Sequence, residues 1–151
     1  MLRFALAVLA LSAFTASAHA GPAAAPAAIA SIEGGKHDCP RCNLKGADLT
    51  NQCVKQGNLE GADFDGARAV LMCMSFADFR RATFRGADLA GANLAHAILD
   101  GADMTGADLP ITSIKGTDLS HAIGLTQRQL DEACGDAETK APAGLQVKTC
   151  S

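Results

Sequence analysis

Tryptophan and tyrosine are absent from the 151 residues, and all aromatic residues together make up 4% of the chain. Stacking platforms for bases or sugars therefore reduce to six phenylalanines. A large charge excess is missing too: 13 basic residues face 16 acidic ones, for a net charge of −3. Such a mildly acidic chain is poorly suited to nonspecific nucleic-acid binding. No apolar run is long enough to cross a bilayer, which takes about 20 residues. Catalytic sets are also missing. No Ser/His/Asp, Cys/His or paired-carboxylate arrangement is readable, and His96 and His121 stand without an evident acid or nucleophile beside them. No enzymatic activity and no cofactor is expected.

What is present begins with Arg3, an apolar stretch from Phe4 to Phe14, and Ala18-His19-Ala20 as a small-residue cleavage site. This is the pattern of a signal peptide over residues 1–20. Gly21 follows the site where a lipoprotein would need cysteine, so no membrane anchor is expected. The mature chain is expected in the periplasm or secreted. Losing Arg3 leaves a net charge of 12 − 16 = −4. Residues 21–38 are rich in Ala and Pro, carry Gly34-Gly35, and read as a mobile linker without an amphipathic face.

From Cys42 to Thr126 the sequence repeats every five residues: CNLKG, ADLTN, QCVKQ, GNLEG, ADFDG and onward. The third position is apolar from Leu44 to Leu119, and the first is usually Ala or another small residue. A period of five fits neither the 3.6 of a helix nor the 2 of a flat strand. Asp or Asn is common at the second position and Gly at the fifth, and both types suit turns. Each five thus reads as one side of a coil, with a large and a small residue turned inward. Gln52, Met72 and Ala69 depart from the pattern, so units 67–76 are a candidate bulge.

These residues resemble the pentapeptide-repeat family, whose motif is A(D/N)LXX. The resemblance implies an all-β fold: a right-handed quadrilateral β-solenoid over 39–126, four fives to a coil of twenty, with a short C-terminal capping helix. It also brings a comparison with the family's cytoplasmic quinolone-resistance members, which inhibit a topoisomerase by DNA mimicry. Export and the basic residues Arg68, Arg80, Arg81 and Arg85 oppose that role here.

A coil of twenty makes Cys53 and Cys73 vertical neighbours, within disulfide reach, and an oxidising compartment permits the bond. Cys134 and Cys150 bracket the tail and form a second natural pair. Cys39 and Cys42 are preferentially read as a local disulfide. The alternative is a periplasmic metal or redox site using His37, Cys39 and Cys42. Haem is excluded because Asn43 stands where histidine is required, and the second CxxC that would make zinc convincing is lacking. Met72 and Met74, which flank Cys73, fall at inward positions and read as core.

The segment 127–151 reads as cap and tail. Thr126 to Gln129 form a capping box, Leu125 and Leu130 a staple, and Gly135 the stop of a helix over 127–134. Exported members of the family resemble this tail in their TQ..LD.ACG pattern. Val70, Leu71, Phe76 and Ile111 occupy nominally outward positions and form a candidate partner surface; the competing account tucks them into a distorted coil. The reading as a whole is a non-enzymatic exported scaffold for an unknown protein partner, with no nucleic acid involved.

Overall fold

The structure, a computed structural model, describes residues 38–150. The signal peptide 1–20, linker residues 21–37 and Ser151 lie outside the described residues. From Asn43 to Ile123 the backbone is a continuous series of parallel bridges, each joining a residue to the one twenty positions later, as in Asn43↔Asp63, Cys53↔Cys73 and Asp103↔Ile123. Every fifth residue from Arg41 to Gly116 has a positive φ, so each five ends in a corner. Four fives make one coil, and the coils stack.

The five-residue motif satisfies its own amides. In the first five, Leu44 donates to the Asp63 carbonyl at 2.8 Å and Gly46 to Asp65 at 2.9 Å. Ala47 closes the corner onto Leu44 at 3.0 Å. Asp63 donates back to Cys42 at 2.8 Å. The ladder leaves over one amide per five, at the fourth position. There the Asp or Asn two residues earlier accepts it: Lys45 onto Asn43 Oδ1 at 3.2 Å, Ala90 onto Asp88 at 3.1 Å, Ala95 onto Asn93 at 3.0 Å. This is the physical reason for Asp or Asn at the second position.

The core is a single column of side chains. All third-position residues from Leu44 to Leu119 are buried, with the alanines at first positions beside them. Phe64, Phe79 and Phe84 form its densest part, with Phe64 stacked on Phe84 at 4.8 Å and Phe79 edge-on to both. Units 67–76 do not bulge. Arg68 and Cys73 bridge the coils on both sides in unbroken register. Ala69 and Met72 are both fully buried, so the large side chain has moved from the third position of one five to the first of the next. Thr112 and Thr117 also point inward, and their hydroxyls donate to the Leu89 and Leu94 carbonyls at 2.7 and 2.8 Å.

Past Ile123 the register loosens: Ser113 bridges Cys134 and Asp118 bridges Lys140. The extra residues form helix α1, Gln127–Glu132, which begins at the capping box of Thr126 and Gln129. It is shorter than the expected 127–134. Ala133 is already extended at φ −83°, so Gly135 does not stop the helix. Gly135 is glycine because Val147 of the returning tail lies against it. Leu130 is fully buried on the open end of the core, and the Gln129 amide donates at 2.9 Å to the carbonyls of both Met104 and Ala107.

Candidate interaction face

Numbering the sides from Cys42, face 1 holds 42–46 and its stacked repeats, and face 2 holds 47–51. Face 3 holds 52–56, 72–76, 92–96 and 112–116. Face 4 holds 57–61 and its repeats. Faces 1, 2 and 4 each carry carboxylates, at second and fourth positions. The four fives of face 3 carry none: their second positions are Cys53, Cys73, Asn93 and Ser113, and their charged residues are Lys55 and Lys115. The returning segment that stacks on the last of them brings Glu132 over Ile111 and Asp136 over Gly116, whose amide donates to Asp136 Oδ1 at 2.9 Å.

Several carboxylates of the other faces are committed locally. Asp78 is held below the usual carboxylate range by the Arg80 guanidinium, 2.6 Å away. Asp103 is lowered first by the Thr105 hydroxyl and further by Arg85, also at 2.6 Å. Asp118 is lowered well below the usual range by the Lys140 ammonium at 2.8 Å and by Ser120. Glu60 meets Arg80 at 3.8 Å, and Asp88 bridges Asp108 as stacked neighbours.

Face 3 is bordered by two corner columns. One runs Asn51, Leu71, Gly91, Ile111; the other runs Gln56, Phe76, His96, Gly116. Leu71, Phe76 and Ile111 point outward, 57%, 51% and 78% exposed, so a distorted coil that tucks them inside is excluded. Val70 is half-buried at the same ridge. Leu71 leans over Gly91 towards Ile111. Phe76 stacks on His96 at 4.8 Å with the rings 16° from parallel, and the His96 ring in turn lies over Gly116.

These corners are strained positions for large side chains. Leu71, Phe76 and Ile111 have φ of 56°, 60° and 52°, the left-handed region that glycine enters freely. A residue with a Cβ costs roughly 1–2 kcal/mol there, and a β-branched one such as Ile111 is a genuine outlier.

Around the Phe76–His96 corner, face 4 opens into a cleft of about 320 Å³ between His96, Ile98, Asp100, Asp118 and His121. His121 Nδ1 lies 2.9 Å from Asp100 Oδ1, which corrects the expectation that no acid stands beside it. The two residues are 21 apart, a fifth position above a fourth, and only the register brings them together. Ile98, 48% exposed, was equally missed. Counting by twenties from Phe76 would have found the Phe76–His96–Gly116 column.

The cysteines are brought together in pairs. Cys53 and Cys73 stand in adjacent coils with Cα atoms 4.5 Å apart, Cys134 and Cys150 at 5.5 Å, and Cys39 and Cys42 at 5.4 Å. On face 3 the first pair takes the second positions where Asp or Asn would hold an amide. His37 lies outside the described residues. Among the described residues no three His, Cys, Asp or Glu side chains converge on a metal-sized site. Met72 and Met74 are fully buried core residues.

No curated protein matches the chain. Similar solved structures include a pentapeptide repeat protein from the cyanobacterium Cyanothece 51142, 21% identical over 76% of this chain and 97% of that one, with a TM-score of 0.48. Another, from Nostoc PCC 7120, is 26% identical over 81% and 99% of the two chains, with a TM-score of 0.42. A plasmid-mediated fluoroquinolone resistance protein is 17% identical over 74% and 65%, with a TM-score of 0.28. The pentapeptide-repeat family matches at residues 42–70, 73–109 and 87–123. With the matched segments spanning more than half its length, the chain belongs to the pentapeptide-repeat family.

Proposed function

We propose that this chain is a non-enzymatic, exported interaction scaffold: a right-handed, four-sided β-solenoid, stapled by disulfides, that presents face 3 to a protein partner. The observation that carries this is the border of face 3, where Leu71, Phe76 and Ile111 hold left-handed corners and stay exposed. Strain and exposure both oppose folding, and glycine fills other corners of the same stack without either cost. Strained residues kept against stability point to function. The sequence features of export, the six cysteines in three adjacent pairs and the linker 21–38 complete the reading. The pairing of Cys39 with Cys42 leaves neither sulfur as a free thiolate for a metal.

The test places a photo-crosslinking amino acid at position 76, or at position 105 on face 1 as control, in the full chain expressed in its own cells. A discrete adduct from position 76 and none from position 105, found in the exported fraction, is expected. Equal labelling at both positions, or retention in the cytoplasm, would contradict the proposal.

A further inference from the structure

We infer that residues 27–36 form a partial coil beneath the first one, closing the N-terminal end of the stack with Ile29 and Ile32. This goes beyond the reading of face 3 as a partner surface and stands independently of it.

The stack does not begin at Cys42. Cys39 and Arg41 donate to the carbonyls of Asn58 and Glu60 at 2.7 and 2.8 Å, and the Asn58 amide donates to Asp38 Oδ1 at 2.8 Å. These bonds build a lower layer on face 4, with Cys39 buried at the inward third position. On the other faces the first coil still offers a sheet edge. From Asp63 to Ser113 each second-position amide donates to the carbonyl 21 residues earlier, as Asp63 does to Cys42 and Cys73 to Gln52. The amides of Asn43, Asp48 and Cys53 have no such acceptor among the described residues, and the same rule gives them the carbonyls of residues 22, 27 and 32. Yet Leu49 and Val54 are as fully buried as the middle of the column, although among the described residues none lies beneath them in the stack. An open sheet edge invites pairing with another chain, and solenoid ends need a cover.

The sequence supplies that cover in register. Counting back from Arg41 in fives gives 32–36, IEGGK, and 27–31, AAIAS. AAIAS carries the inward pair of the repeat, Ala27 at the first position and Ile29 at the third, below Leu49 on face 2. IEGGK reverses the pair, with Ile32 at the first position and Gly34 at the third. Face 3 suits that reversal, because its lower first positions are the large Gln52 and Met72, and only above them Ala92. Corners then fall at Ser31 and Lys36, in line with Arg41, Asn51 and Gln56, which hold polar side chains at positive φ. One five further back the corner would be Pro26, whose ring fixes φ at about −65° and which has no amide to donate. The partial coil therefore stops at Ala27, and the Asn43 amide, whose acceptor would be residue 22, stays open to water. The linker shortens to 21–26.

Amide hydrogen exchange, read residue by residue by NMR, tests this on the purified full chain and on its Ile29→Asp/Ile32→Asp variant. In the parent, Asp48 and Cys53 are expected to exchange at least about a hundredfold more slowly than Asn43. In the variant their protection is expected to fall about tenfold or more, with Phe64 and Phe84 in the middle coils unchanged as proof that the variant is folded. Asp48 and Cys53 exchanging as fast as Asn43 in the parent overturns the inference. So does protection that survives the double substitution, because another element then covers the edge. Protection that appears only at high protein concentration, together with a dimer in solution, assigns the edge to a second copy and likewise overturns it.

Discussion

Leu71 lies over Gly91, twenty residues on, so closely that a Cβ built on Gly91 would come within 2.7 Å of the Leu71 Cδ2. The same relation joins His96 to Gly116 and Arg41 to Gly61. Glycine at a corner therefore serves two purposes, the left-handed backbone of its own turn and a seat for the side chain one coil earlier. Gly66 has only the first, with nothing within 4 Å of its missing Cβ. Gly66→Ala is expected to cost about 1 kcal/mol, the backbone term alone. Gly91→Ala is expected to cost about 2 kcal/mol, because Leu71 must also give way. Urea unfolding of the two variants measures the difference, and equal losses would refute the seat.

Ile111 is expected to contribute nothing to stability. It is 78% exposed at φ 52°, so Ile111→Gly exchanges a strained corner for a relaxed one and removes little packing. Relief of roughly 1 kcal/mol is offset in part by the extra freedom of glycine in the unfolded chain. Thermal unfolding should show a midpoint unchanged or slightly raised. A fall of several degrees would mean that Ile111 is held by the fold and not kept for a partner.

The fold was largely legible because a period of five repeats each physical requirement many times over. Inward Leu and Phe, small first positions and turn-forming second and fifth positions all pointed the same way. The coil of twenty entered through the family resemblance, and the pairing of Cys53 above Cys73 followed from it by counting. What stayed hidden were side-chain contacts between coils other than the cysteine pair. The His121–Asp100 pair, the Phe76–His96 stack and the inward amide of Gln129 each join residues that no local pattern relates. Gly135 was misread for a similar reason: its neighbour is Val147 in the returning tail, not the helix before it.

Gln129 closes the stack as well as the helix. Its buried amide donates to the Met104 and Ala107 carbonyls, while its Oε1 accepts from the Thr126 amide at 2.9 Å. Gln129→Leu would bury the same volume and leave those groups unpaired. A loss of about 2 kcal/mol is expected, since a buried unsatisfied group costs roughly 1–3 kcal/mol. Amide hydrogen exchange should rise first in the last coil, and a uniform rise along the chain would argue against a capping role.

Acid should unfold the stack from its outer faces. Asp78, Asp103, Asp118 and Asp136 all have folded pKa values below the ordinary carboxylate range, through Arg80, Thr105, Lys140 and the Gly116 amide respectively. A lowered folded pKa gives stability that is fully present above the unfolded value, near 4, and lost as pH falls through the folded one. Thermal midpoints should be level from about pH 7 to 5 and decline below about 4. Asp118→Asn should flatten that decline. A midpoint that held or rose on acidification would show that these bonds do not stabilise the fold.

The most direct measurement is non-reducing peptide mapping of the purified full chain, with free thiols alkylated before digestion. Lys55 and Arg68 lie between Cys53 and Cys73, and Arg41 lies between Cys39 and Cys42, so tryptic cleavage separates the members of both pairs. The expected map joins Cys53 to Cys73, Cys134 to Cys150 and Cys39 to Cys42. Cys53 bonded to any other cysteine, or recovered alkylated, would contradict the register of twenty that assembles face 3.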